Sequence, residues 1–226
     1  MLNIVKSRIE AIPSDALASG TAASGDPIRG WWSCVATAGP LHVETTACGT
    51  TFEAGVAHAD GLVDGGVGAV IMAPRVPVID RTRAITGLLC HADAVAITPR
   101  SHSDIAWMQH CVTVRDLQAE EREHIADCLD RVDGETAGFV GVLLGLAARK
   151  TPVVLLGAAA HAAAVVAQRQ SVSAASWWRS GCTGTDPILD IACQRLQFEP
   201  WWTARTDVLP EVLEELVAGT ISSMRD

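Results

Sequence analysis

Thr151-Pro152-Val153-Val154-Leu155-Leu156-Gly157-Ala158-Ala159-Ala160-His161-Ala162-Ala163-Ala164-Val165-Val166-Ala167-Gln168-Arg169 is the stretch that decides the fold. Pro152 cannot continue a helix that precedes it, because it has no amide proton and its ring clashes with the turn before. Residues 153–156 form an unbroken aliphatic run of the kind found in parallel strands covered on both faces. Gly157 ends that strand at a turn, and residues 158–168 are almost all good helix formers. The stretch therefore reads strand, tight turn, helix, which is half of a βαβ unit. In open parallel sheets, ligands gather where such strands end.

Outward from this unit, two more aliphatic runs read as buried strands. One is Ala69-Val70-Ile71-Met72, closing on Ala73-Pro74-Arg75; the other is Ala94-Val95-Ala96-Ile97, closing on Thr98-Pro99-Arg100-Ser101-His102. Residues 82–90 between them suit a short helix, giving strand, helix, strand. Residues 31–52 lean towards β structure with breaks at Gly39-Pro40 and Gly49, and 53–62 resume helical periodicity behind a Thr50 or Thr51 cap. Ser103 or Asp104 starts a helix expected to turn Ile105, Met108 and Val112 inward. Further helices are expected over 120–128, 134–148, 186–196 and 210–218. The fold class this order predicts is a doubly wound α/β sheet, mostly parallel, with helices on both faces in a Rossmann-like three-layer arrangement. It would occupy residues 31–226. Residues 1–30 would be a short amphipathic helix and a linker, a disordered leader being the alternative.

Bulk composition narrows the function classes. With 226 residues, 49% hydrophobic and 19% charged, the chain is a folded globular protein. Its 17 basic and 26 acidic residues give a formal charge of −9, and no basic cluster stands out, so neither nucleic acid nor an anionic membrane is an expected partner. Seven cysteines with no Cys-x-x-Cys pair point to reduced thiols and a cytoplasmic setting. The most apolar region, 138–167, is cut by Arg149, Lys150 and Pro152 into pieces shorter than the roughly 20 residues of a membrane span. Cys90-His91 and His110-Cys111 lack the second pair that zinc requires, so no metal site and no cofactor are expected.

A longer pattern runs through the C-terminal half. Leu155-Leu156-Gly157 closes a strand, an Ala-rich helix ends in Ala167-Gln168-Arg169, and Ala174-x-x-Trp177-Trp178-x-x-Gly181, Asp186-Pro187 and Leu196-x-Phe198-x-Pro200 follow. This pattern resembles the C-terminal half of the nicotinate-nucleotide:dimethylbenzimidazole phosphoribosyltransferases, which make the lower-ligand nucleotide of cobalamin. The resemblance runs from about Thr151 to Pro200 and more weakly back to about Glu53. It implies a small-molecule nucleotide or aromatic base as ligand, and a homodimer or a heterodimer with a family member.

Mapped onto that resemblance, the candidate ligand loops are 73–80, 98–102 and 157–161. The family's Gly-x-Gly-Asn-Thr-Thr phosphate turn corresponds here to Arg75-Val76-Pro77-Val78-Ile79-Asp80-Arg81, which has no glycine. Arg75, Arg81 and Arg83 either supply positive charge instead or are solvated loop charges. A family Gly-Thr-Gly turn corresponds to Thr98-Pro99-Arg100-Ser101, leaving Arg100 and His102 as anion contacts or as exposed side chains. The family's Asp-Gly at the central strand end is Leu156-Gly157. Its His and Ser-x-Glu-Pro-Gly-His segment becomes Cys182-Thr183-Gly184-Thr185-Asp186-Pro187-Ile188-Leu189. Gly157 and Thr183 are the ligand contacts that remain, and Cys182 reads as a small buried hydrophobe. The general-base glutamate of the family's Gly-Glu-Gly-Thr-Gly has no counterpart in register. Asp207 is the nearest acid and the candidate catalytic residue; it reads equally as the N-cap of the closing helix. His42 is the one residue flagged before 53. The Trp pairs 31/32, 177/178 and 201/202 read as core or interface packing.

Two functions follow. The first is transfer of phosphoribose from nicotinate mononucleotide to a benzimidazole-type base. The second is an inactive relative serving as structural or regulatory partner of a complete homologue.

Overall fold

In the computed structural model, which describes residues 40–45, 49–181 and 184–200, four short strands pair in parallel. They are β1 (Leu41–Glu44), β2 (Ala69–Met72), β3 (Val153–Leu155) and β4 (Trp178–Ser180), side by side in chain order. Helix α1 (Phe52–Asp64) joins β1 to β2. Between β2 and β3 run α2 (Asp80–Leu89), α3 (Ala94–Ile97), α4 (Asp104–Glu121), a 3₁₀ turn over Arg122–Asp127, α5 (Cys128–Arg131) and α6 (Gly134–Ala148). Helix α7 (Gly157–Gln170) joins β3 to β4, and α8 (Pro187–Leu196) follows. The expectations for 1–39 and 201–226, with Cys182, Thr183, Asp207 and two of the Trp pairs, lie outside the described residues.

The parallel α/β architecture is the one expected, and its two central strands are buried on both faces. Val70, Met72, Val153 and Leu155 join the main apolar cluster; Ile71 and Val154, which alternate with them, are just as buried. Each such side chain stabilises the fold by about 1.5–3 kcal/mol relative to exposure, so the two central strands anchor the whole. Register sets His42 level with Val70 and Glu44 level with Met72. Both therefore share the face of the sheet that carries the main cluster.

Helix α6 is apolar all round and packs most extensively on α1. The two backbones approach so closely that a methyl group on Gly55 would overlap the Gly138 carbonyl, and one on Gly141 would overlap the Phe52 carbonyl. Glycine is required there by space, not by backbone angle.

Three expectations are corrected, and one strand is added. Residues 94–97 are a helical turn, not a strand: Asp93 Oδ1 accepts from Ala96 N–H at 2.8 Å and Thr98 Oγ1 donates to the Ala94 carbonyl at 2.6 Å. Ile97 is buried while Val95 is 57% exposed, a spacing that suits a turn of helix and not a strand covered on both faces. On α4 the inward line is Cys111, Val114, Gln118 and Glu121; Ile105, Met108 and Val112 are 66%, 52% and 45% exposed. Polar residues hold the inner face because they have partners: Gln118 donates to the Ala92 carbonyl at 3.0 Å and Arg131 donates to Glu121 at 2.8 Å. The helix expected over 120–128 is the end of α4 followed by the 3₁₀ turn. Finally, Trp178–Ser180 is a strand, the second half of the βαβ unit, which reading Trp177-Trp178 as packing residues missed.

Replacing Gly141 by alanine tests the α1–α6 contact. We expect urea denaturation to show a loss of about 3 kcal/mol, at the upper end of overpacking costs. A change below about 0.5 kcal/mol would mean the helices are free to separate.

Candidate functional site

The hydrogen-bond ladder runs one residue past each strand. Ala73 N–H donates to the Glu44 carbonyl at 2.8 Å, Leu156 N–H to Met72 at 2.9 Å and Gly181 N–H to Leu155 at 2.9 Å. The loops after β1, β2, β3 and β4 therefore leave from one edge. At the centre of that edge Gly157 has φ +82°, a conformation that favours glycine, and it turns the chain from β3 directly into α7. Nothing lies within 4 Å of where its Cβ would stand. The N-cap Leu156 makes no side-chain hydrogen bond and the first turn of α7 carries no acid. Its leading N–H groups lack helical partners and sit at the positive end of a 14-residue helix. This is the physical basis of an anion site.

The sequence-derived candidates distribute unevenly around that edge. Arg75 is exposed in the loop after β2, its backbone N–H tied to the Thr45 carbonyl at 3.2 Å. Arg81 points to α4, 3.2 Å from Glu120 and 3.5 Å from Glu121. Arg83 is buried, not a solvated loop charge: its guanidinium grips both Asp186 oxygens at 2.9 and 2.8 Å and donates to the Ile97 carbonyl at 2.8 Å. Asp186 also caps α8. Arg100 stacks on the Trp107 ring at 3.5 Å, and His102 is exposed beside it. The structure thus brings Gly157 and the loop of Arg75 to one edge, while Arg81 and Arg83 are engaged elsewhere.

His161 was not singled out from the sequence, although a lone histidine four residues after a turn glycine is a visible signal. It is fully buried, with Nδ1 2.8 Å from the Gly157 carbonyl and Nε2 2.9 Å from Ser180 Oγ. A carbonyl only accepts, so Nδ1 carries the proton and Nε2 accepts from the serine hydroxyl. Burial pushes the imidazole down to about 4, against a smaller upward pull from the Gly157 carbonyl. The pair links the turn at the end of β3 to the end of β4.

A second group stands at the end of β1. Glu44 Oε2 is 2.6 Å from His58 Nε2 and 3.3 Å from His42 Nε2. Reading cysteine–histidine pairs from the sequence missed it, because His58 comes from α1, fourteen positions beyond Glu44. Cys90, Cys111, Cys128 and Cys193 are free thiols, and burial pushes Cys90 up to about 12 despite Arg195. No helix of the described residues is long and apolar enough to cross a membrane.

Comparison with known proteins gives a consistent result. A phosphoribosyltransferase family model matches residues 42–207. The nicotinate-nucleotide–dimethylbenzimidazole phosphoribosyltransferase of Streptomyces avermitilis is 37% identical over 158 residues, 66% of this chain and 42% of that protein. The Streptomyces coelicolor enzyme is 33% identical over 67% of this chain and 45% of its own length. The chain spans about half the length of the curated relatives it matches. Among solved structures, a Thermus thermophilus enzyme of the same name matches with TM-score 0.64 and 13% identity over 77% of this chain and 53% of that one. A structure of CobT from the same organism matches with TM-score 0.65 and 14% identity, over 77% and 54%.

The buried His161 predicts a pH dependence. The unfolded imidazole takes its proton near pH 6.5 and the folded one only near 4, so between these values the unfolded state holds more protons and stability rises with pH. From pH 7 to pH 5 the wild type should lose about 2 kcal/mol more unfolding free energy than His161→Gln. Equal losses by urea titration would contradict the buried, neutral imidazole.

Proposed function

Because the chain belongs to the nicotinate-nucleotide–dimethylbenzimidazole phosphoribosyltransferase family, we propose that it binds a nicotinate nucleotide at the C-terminal edge of its sheet and transfers the phosphoribosyl group to a benzimidazole-type base. The observation that carries this reading is the Gly157 turn, where an uncapped helix N-terminus without acidic residues opens at the centre of that edge. The nucleotide phosphate would lie on the first-turn amides of α7. Arg75 on the neighbouring loop would add a side-chain cation and Thr183, after β4, a hydroxyl. Arg100 and His102 would stand at the rim of the site.

In the transfer, the bond from C1′ of the ribose to the pyridine nitrogen breaks and its electron pair leaves with nicotinate. A benzimidazole nitrogen forms the new bond to C1′, and the proton on the other ring nitrogen passes to a base. Asp207 is proposed as that base. Arg83 takes a positioning role in this reading, tying α2 to the start of α8.

Incubation with nicotinate mononucleotide and 5,6-dimethylbenzimidazole should yield the α-ribosyl phosphate product and free nicotinate by mass spectrometry. Asp207→Asn should lower the rate by at least about 100-fold. Absence of product from folded protein would overturn the transfer reading, and absence of calorimetric heat with either ligand at millimolar concentration would overturn ligand binding too.

A pairing role is supported by a separate observation: Ile105, Met108 and Val112 form an exposed apolar line at helical spacing on α4. We infer that a second copy covers it. Sedimentation should then show a dimer that Met108→Glu dissociates, and a wild-type monomer at micromolar concentration would refute it.

A further inference from the structure

We propose that His42, Glu44 and His58 form a binding site for one divalent transition-metal ion of the zinc class, at the end of β1, two strands along the sheet from Gly157. Strand alternation gives the first two ligands: His42 and Glu44 are two apart on β1 and so share a face. Helix α1 gives the third: its line through Gly55, Val56 and Ala59 packs on α6, and His58 of the same helix reaches β1, with Nε2 2.6 Å from Glu44 Oε2. The three donor atoms all lie within 4.8 Å of one another. Zinc bonds of about 2.0–2.2 Å in tetrahedral geometry set donor atoms roughly 3.4 Å apart. The His42–Glu44 separation of 3.3 Å already meets this, and the 2.6 Å His58–Glu44 hydrogen bond opens by less than 1 Å when a metal replaces the shared proton.

Burial and exposure divide in the way a metal site needs. The Glu44 side chain is 6% exposed, which fixes the carboxylate within the fold as an anionic ligand between the two imidazoles. Both imidazoles are 36% exposed, which leaves an entry path and room for a water to complete the coordination. Two imidazoles and one carboxylate suit zinc, cobalt or iron(II); magnesium and calcium prefer all-oxygen shells. Three protein ligands with one open position is the arrangement of catalytic zinc centres rather than closed structural ones. The end of β1 is fixed independently by the Ala73 and Arg75 backbone N–H groups, so the ligands are held before any ion arrives. The other close histidine–carboxylate pair, His110 with Asp80 at 2.6 Å, is not part of any three-residue group among the described residues and serves as the control.

The test uses the full chain, stripped with a chelator and titrated with Zn²⁺ alone by calorimetry and with Co²⁺ alone by absorption. One equivalent should bind, and the cobalt spectrum should show nitrogen and oxygen ligation without a thiolate charge-transfer band. His42→Ala and His58→Ala should each weaken Zn²⁺ binding at least about tenfold while keeping the wild-type circular dichroism. His110→Gln should bind as wild type does. Glu44→Gln tests the carboxylate, and if it fails to fold the two partly exposed histidines still decide. No saturable one-site binding, a thiolate band, or affinity unchanged in both histidine variants would each overturn the proposal.

Discussion

The close crossing of α1 and α6 is the constraint on which most of the arrangement depends. Backbone carbonyls of Gly138 and Phe52 occupy the space where the β-carbons of Gly55 and Gly141 would be, so the two helices meet at a separation no other residue permits. That contact holds α6, with Phe139, Leu143, Leu144 and Leu146 fully buried, in the same apolar cluster as Val70, Met72, Val153 and Leu155 of the central strands. It also positions α1, from which His58 reaches Glu44 of β1. A structural contact between glycines thus sets the geometry of a side-chain cluster outside that contact.

A second tie works by charge. The buried guanidinium of Arg83 holds Asp186 through two hydrogen bonds at the start of α8, and the same aspartate caps that helix. Removing one partner of such a pair leaves an uncompensated buried charge, a cost of about 3–5 kcal/mol. The pair therefore brings the segment after β2 and the segment after β4 into a fixed relation across β3. His161 adds a neutral link of the same kind between Gly157 and Ser180, and burial keeps it neutral. These ties frame the C-terminal edge of the sheet, and the element proposed to face the phosphate is backbone: the first turn of α7. In the proposed reading that turn takes the place of the glycine-rich phosphate turn the chain lacks.

Much of this was legible in the residues. Pro152, the aliphatic run after it and Gly157 specify strand, turn and helix by local chemistry, and Ala69–Met72 and Gly134–Ala148 read correctly because burial on all sides leaves a continuous apolar run. Residues 94–97 misled because four aliphatic residues fit a buried strand and a helical turn equally; the caps from Asp93 and Thr98 decide it. The inward face of α4 was illegible because its inner positions are polar residues whose partners, Ala92 and Arg131, are distant in sequence. The candidate site divides in the same way. The turn at Gly157 is legible because a backbone turn is local, whereas neither reading of Arg83, site cation or solvated loop charge, anticipates its buried pair, because Asp186 lies 103 positions on. The His42–Glu44–His58 group combines a strand pair with a residue from the following helix, and only the packed fold brings them together.

The central claim is that the first turn of α7 receives the nucleotide phosphate. Amide hydrogen exchange with and without saturating nicotinate mononucleotide measures it directly, residue by residue. The account predicts slowed exchange of the amides from Gly157 to Ala160 and of Arg75, with the amides of α4 unchanged. Binding of the nucleotide without protection at Gly157–Ala160 would contradict it.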